Sequence, residues 1–184
     1  MAEATTTVGL GRRMTYEQFL ELPDDMRAEY SGGEAIMTPA PSFRHQKACR
    51  AMADLLTDQL AGGAVVALAV GWSLASRSPT LRIPDVLVLA EEPDGDLVTA
   101  APVVVVEVLS TNRGNDLVRK SAEYRAAGAG QYWVVDPRDR VVSVYARADG
   151  AWDLVAEVTD ATPTATVTVA PWGTVTLDIA ALLG

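Results

Sequence analysis

The chain has 184 residues, 49% of them hydrophobic, which predicts one domain with a substantial core. Charged residues at 21% exclude a disordered chain, and a formal net charge of −9 argues against non-specific nucleic-acid binding through a broadly basic surface, though not against a local basic groove. The single cysteine, Cys49, excludes an internal disulfide and a cysteine-cluster metal site, and fits a reducing cytoplasm.

Residues 1–13 lack the apolar core of a signal peptide and read as a flexible tail, which leaves 14–184 as a single domain. In "MTYEQFLEL", Thr15 followed three residues later by Gln18 predicts a capping box and a short helix that Pro23 helps to stop. "RAEYSGGEAIMT" reads as two strands around a Ser-Gly-Gly turn. The strongest helical pattern is "SFRHQKACRAMADLLTDQLAGG", with Ser42 to cap it and Gly62 to end it. His45, Cys49, Met52 and Leu56 fall on one stripe of that helix, so the only histidine faces the interior or a cleft.

"AVVALAVGWSLA" predicts strand, turn or bulge, strand; with its neighbouring glycines it is too short and too broken to span a bilayer. "LRIPDVLVLA" reads as another strand entered through Pro84. "PVVVVEVLS" has the continuous apolar run of a strand buried on both faces. "NDLVRKSAEYRAAGAG" is a second helix, capped by Asn115 or Asp116 and ended near Gly128–Gly130. "QYWVVD" is a strand stopped by Asp136-Pro137, and "RVVSVYAR", "AWDLVAEVT", "TATVTVA" and "TVTLDI" alternate as strands of an antiparallel C-terminal extension. The order of elements predicts a mixed α/β or α+β domain. Neither the GxGxxG nor the GxxxxGK nucleotide-binding fingerprint is present.

Two acids stand where strands seldom carry them. Asp85 opens "DVLVL", and Glu107 interrupts "VVVVEV" close to its end. A buried charge is costly unless it is paired or bound to a metal. If the two strands are neighbours, the acids converge at one edge of the sheet and repel unless a cation separates them. Oxygen ligands with open positions suit Mg²⁺ or Mn²⁺. Leu117, Lys120 and Tyr124 share a face of the second helix, and the two packing residues turn Lys120 toward the sheet. Two acids, a divalent cation and a lysine make a phosphodiester hydrolysis site.

Other readings stand beside these. Asp85 can be a strand-entry acid, Glu107 the partner of Arg82, Arg113 or Lys120, and Lys120 an exposed helix lysine. His45 is more naturally a packed helix histidine than a ligand for a hard cation, yet it can touch a substrate phosphate, as can Arg113. Of the hairpin acids Glu29 and Glu34, Glu29 is the first candidate to complete a metal shell. Tyr124 and Trp133 read as core aromatics.

The series "AEYSGGEAIMTPAPSFRHQKA", "RIPDVLVL", "VVVVEVLS" and "DLVRKSAEYRAAGAGQYWVVDP" resembles the Uma-two family of restriction-endonuclease-like proteins, in order from about Thr15 to Tyr145. The resemblance implies the PD-(D/E)xK nuclease core, a restriction-endonuclease-like mixed central sheet flanked by helices. It implies that Asp85 and Glu107 match the metal-binding acids and Lys120 the lysine, with Glu29 in the early acidic hairpin and His45 after it. The superfamily's usual lysine lies two residues after the second acid, where this chain has Leu109, so the resemblance places the lysine function on the helix. The expectation is a Mg²⁺- or Mn²⁺-dependent endonuclease acting on DNA as a homodimer in the cytoplasm, away from membranes. The alternative is a catalytically inactive nuclease-like module used for binding or oligomeric interaction.

Overall fold

A computed structural model of the chain describes residues 11–23, 26–60, 62–74, 78–110 and 114–184, with side chains from residue 116 onward in the last segment. Its elements run β1 (Gly11–Arg13), α1 (Tyr16–Leu20), β2 (Ala28–Ser31), β3 (Glu34–Met37), α2 (Phe43–Gln59), β4 (Val65–Leu68), β5 (Trp72–Ser73), β6 (Leu81–Arg82), β7 (Val86–Leu89) and β8 (Val104–Val108). Then follow α3 (Gly114–Ala126), β9 (Gln131–Asp136), β10 (Val141–Ala148), β11 (Ala151–Val158), β12 (Thr164–Val169), β13 (Gly173–Asp178) and α4 (Ile179–Leu183).

Local chemistry accounts for several of these boundaries. Thr15 and Gln18 form both halves of the capping box at α1. Ser42 caps α2 by accepting from the His45 backbone N–H. Gly32 and Gly33, with φ of 62° and 80°, make the tight turn between β2 and β3, where any side chain would be strained. Gly11–Arg13, which the sequence places in the tail, pair with β3 instead. α2 ends at Gln59, before the Gly62 expected to stop it, because Leu60 takes an extended conformation. Asp116 lies in the first turn of α3 rather than at its cap.

The larger sheet has the order β11-β10-β9-β8-β7-β4. β8 sits at its centre, antiparallel to β7 and parallel to β9, and α3 makes the crossover between the two parallel strands. A smaller sheet runs β1-β3-β2-β6-β5, and β12 and β13 form a separate hairpin. The segment "LRIPDVLVLA" therefore supplies two strands, β6 and β7, to two different sheets. Pro84 has no N–H to give a ladder, and the break falls around it. This is the local event that builds the site, because it sets Arg82 and Asp85 on either side of the junction.

Alternation along β8 divides the core. Val104, Val106 and Val108 face α2, the β12–β13 hairpin and α4, together with Met52, Leu56 and Trp133. Val105 faces the opposite way, into a cluster with Trp72, Leu87, Tyr124 and Tyr132. Fully burying a Val or Leu side chain contributes roughly 1.5–3 kcal/mol, so the strand is anchored from both sides. Phe19, Tyr30 and Leu81 form a third cluster at the smaller sheet.

Candidate active site

Asp85 directly precedes β7, whose Val86 pairs with Val106, and Glu107 follows Val106 on β8. The Val108 backbone N–H, one residue past Glu107, donates to Asp85 Oδ2 at 2.8 Å. The two acids thus meet at one end of the two strands.

Glu107 is buried and points to α3. Its Oε1 accepts from the Tyr124 hydroxyl at 2.6 Å and from Lys120 Nζ at 3.1 Å, while Oε2 has only a longer contact with the same ammonium at 3.4 Å. Lys120, 2% exposed, also lies 2.8 Å from Glu29 Oε1 and 3.9 Å from Asp116 Oδ2. Glu29, carried by β2, takes the Ile83 backbone N–H on Oε1 and Arg82 Nη1 on Oε2. Arg82 continues to Glu123 through Nε at 2.7 Å, and Ser31 donates to the other Glu123 oxygen. Residues of both sheets and one helix are thereby joined in one buried polar network.

The electrostatics follow from this packing. Burial is the largest influence on Glu107 and pushes its carboxyl above the usual carboxylate range; Lys120 opposes the shift, and Asp85 and Glu29 add to it. Burial alone would lower the Lys120 ammonium, but Glu107 and Glu29 outweigh it and hold it up at about 12. Burial likewise raises the Tyr124 hydroxyl, reinforced by Glu107, so it serves as a donor. In Arg82 the burial penalty is outweighed by Glu123 and Glu29, and the guanidinium stays charged.

On the other side of the sheet end, His45 Nε2 lies 3.3 Å from Asp85 Oδ2, and its Nδ1 lies 3.4 Å from Cys49 Sγ. Both Asp85 contacts fall on Oδ2, and no described residue holds Oδ1. Two oxygens of the acid pair thus have spare lone pairs, Asp85 Oδ1 and Glu107 Oε2.

The structure brings Asp85, Glu107, Lys120, Glu29 and His45 into this one region. Lys120 is not an exposed helix lysine, and the position two after Glu107, Leu109, is occupied in the ladder by its N–H bond to Val135 O. His45 is turned to Asp85 and Cys49 rather than outward to a substrate. Arg113 lies outside the described residues. Sequence reasoning missed Glu123 and the Tyr124 hydroxyl contact, and took Arg82 only as a potential partner of Glu107. The run "LRI" carried the same signal as "VVVVEV", a charge set between apolar residues.

Among the described residues, four carboxylates (Glu29, Glu107, Asp116 and Glu123) surround two cations, Lys120 and Arg82, and Asp85 stands beside them with the Val108 N–H and His45 as its contacts. That excess of oxygen donors, with free lone pairs on Asp85 and Glu107, suits a hard divalent cation. The chain matches the model of the Uma2 family, described as "Putative restriction endonuclease", over residues 16–179, and belongs to that family. It shares its fold with a solved protein from Anabaena variabilis that is titled a "putative nuclease", with a TM-score of 0.74 at 21% identity, covering 92% of this chain and 97% of that one. No curated protein matches.

Proposed function

We propose that the chain is a divalent-cation-dependent endonuclease that hydrolyses phosphodiester bonds, with DNA as its substrate and Mg²⁺ or Mn²⁺ as its cation. Membership of the Uma2 family supports the reaction class. The observation that carries the reading is the convergence of Asp85, Glu107 and Glu29 on one place with a single buried lysine among them. Asp85 and Glu107 would hold the cation through their free oxygens. Glu29 has all its described contacts committed to Lys120, Arg82 and Ile83, so we assign it to positioning Lys120 rather than to the cation itself.

When bound, the cation supplies a more acidic water and neutralises charge on the phosphate. The residues of the chain do the rest. Asp85 is held through Oδ2 by the Val108 N–H and His45, which would leave Oδ1 to take the cation. Tyr124 fixes the Glu107 carboxylate by donating to Oε1. Lys120, held protonated by two acids, stabilises the negative charge that grows on the phosphate oxygens and orients the attacking water.

The site draws on β2 of the smaller sheet and on β7, β8 and α3 of or beside the larger one, which supports reading residues 14–184 as one working unit. We assign dimerisation to the edge strand β11, where Leu154 and Val155 are both 53% exposed. The reducing cytoplasm is the compartment that the lone thiol suits.

The test is cleavage of plasmid and short duplex DNA with Mg²⁺ or Mn²⁺, by the parent, Asp85→Asn and Glu107→Gln. Cation-dependent cutting that both substitutions abolish supports the assignment. Equal rates in the parent and the variants would show that the acids serve the scaffold alone.

A further inference from the structure

A second donor set lies on the α2 side of Asp85. One donor atom each from His45, Cys49 and Asp85 falls within 4.8 Å of the others. His45 and Cys49 are one helical turn apart on the buried stripe of α2, so the helix itself fixes their spacing. A tetrahedral ion with bonds of about 2.3 Å to sulfur and 2.0 Å to nitrogen holds those two atoms roughly 3.5 Å apart. The observed separation of Cys49 Sγ and His45 Nδ1 is 3.4 Å. Asp85, partly exposed where the other two are buried, leaves a route for an ion to enter.

We propose that His45, Cys49 and Asp85 form a site for a thiophilic divalent cation of the Zn²⁺ class, and that this ion suppresses the hydrolytic site by taking Asp85 from it. The donor set decides the class: thiolate and imidazole favour zinc-like ions, whereas the Asp85–Glu107 side offers oxygen alone and favours Mg²⁺. Binding forms a metal–sulfur bond and releases the thiol proton to solvent, with no change of oxidation state. Burial and Asp85 push the Cys49 thiol up to about 12, so the affinity rises with pH as that proton becomes easier to expel. The carboxylate must close on the ion to reach a bonded separation, and once bonded there it is no longer free to share a cation with Glu107. The suppression rests on the proposed hydrolytic role of Asp85; the site itself does not.

Co²⁺ is the probe, titrated into the intact chain without magnesium. Cys49 is the chain's only cysteine, so a thiolate-to-cobalt absorption band in the near ultraviolet reports this site alone. The expected result is a band that saturates at one equivalent and is bleached by one equivalent of Zn²⁺. Cys49→Ser and Cys49→Ala, checked for fold by circular dichroism, lose the band and bind Co²⁺ at least about tenfold more weakly; Glu107→Gln keeps it. No band in the folded parent at saturating Co²⁺, or a band that Zn²⁺ does not bleach, overturns the site. In the cleavage assay Zn²⁺ inhibits the parent at least about tenfold more strongly than Cys49→Ser; equal inhibition overturns the suppression. A cobalt band without cation-dependent cleavage removes only the nuclease reading, and cleavage without the band removes only this site.

Discussion

Replacing Lys120 by Met would remove the one ammonium that Glu29 and Glu107 share, at 2.8 and 3.1 Å, inside a region where the lysine is 2% exposed. Truncating one partner of a buried ion pair costs about 3–5 kcal/mol, because the remaining charge stays buried without compensation. For a chain of this size each kcal/mol lowers the melting temperature by roughly 2–4 °C, so a fall of roughly 6–20 °C is expected, read by thermal melts monitored by circular dichroism. The loss depends on pH in a defined direction. Glu107 already holds its proton more tightly in the fold than an ordinary carboxylate does, and without Lys120 the shift grows. The folded state then binds more protons than the unfolded chain, so stability falls as pH rises through the window between the two values and recovers as pH is lowered from about 8 to about 5. A variant within about 1 kcal/mol of the parent, or a deficit indifferent to pH, would refute the idea that this lysine compensates the buried acids.

Glu107→Gln removes a charge that burial disfavours and keeps an acceptor for Tyr124, so it abolishes cleavage while shifting stability by about 1 kcal/mol or less in a urea titration. Tyr124→Phe deletes the 2.6 Å hydrogen bond to Glu107, with an expected loss of about 1.5–3 kcal/mol by the same titration; an unchanged midpoint would mean the hydroxyl is not engaged there. Gly130→Ala would set a Cβ 2.8 Å from the Val103 carbonyl oxygen, at the start of the β8–β9 pairing. Backbone cannot yield as a side-chain tip does, so a loss of at least about 1–3 kcal/mol is expected, and a neutral variant would show that the β8–β9 packing is looser than described.

Much of this site was legible because it follows from strand geometry. Asp85 and Glu107 each stand in an apolar run, and the antiparallel β7–β8 pairing, with Val86 opposite Val106, brings them to the same end of the two strands. Lys120 and Tyr124, four apart on α3, face the same strand for the same reason. What escaped was long-range. Glu123 meets Arg82 across 41 positions, and nothing in local periodicity announces that partnership. Tyr124 reads as a packing aromatic because its ring does pack, on Trp72; its hydroxyl is a separate matter that composition does not reveal. The Ile83-Pro84 break carried a readable signal, since proline cannot sit in a central ladder, but one strand was the simpler reading of "LRIPDVLVLA". Cys49 lies one turn from His45 and on the same stripe, and its value emerges only when an Asp85 oxygen is seen within 4.8 Å of both.

The most direct measurement is an anomalous difference map from crystals soaked in Mn²⁺. The account predicts one strong peak bonded to Asp85 Oδ1 and Glu107 Oε2, beside the Lys120 ammonium. A map with no peak there at saturating manganese, or with the ion on carboxylates elsewhere while these two keep their present partners, would contradict it.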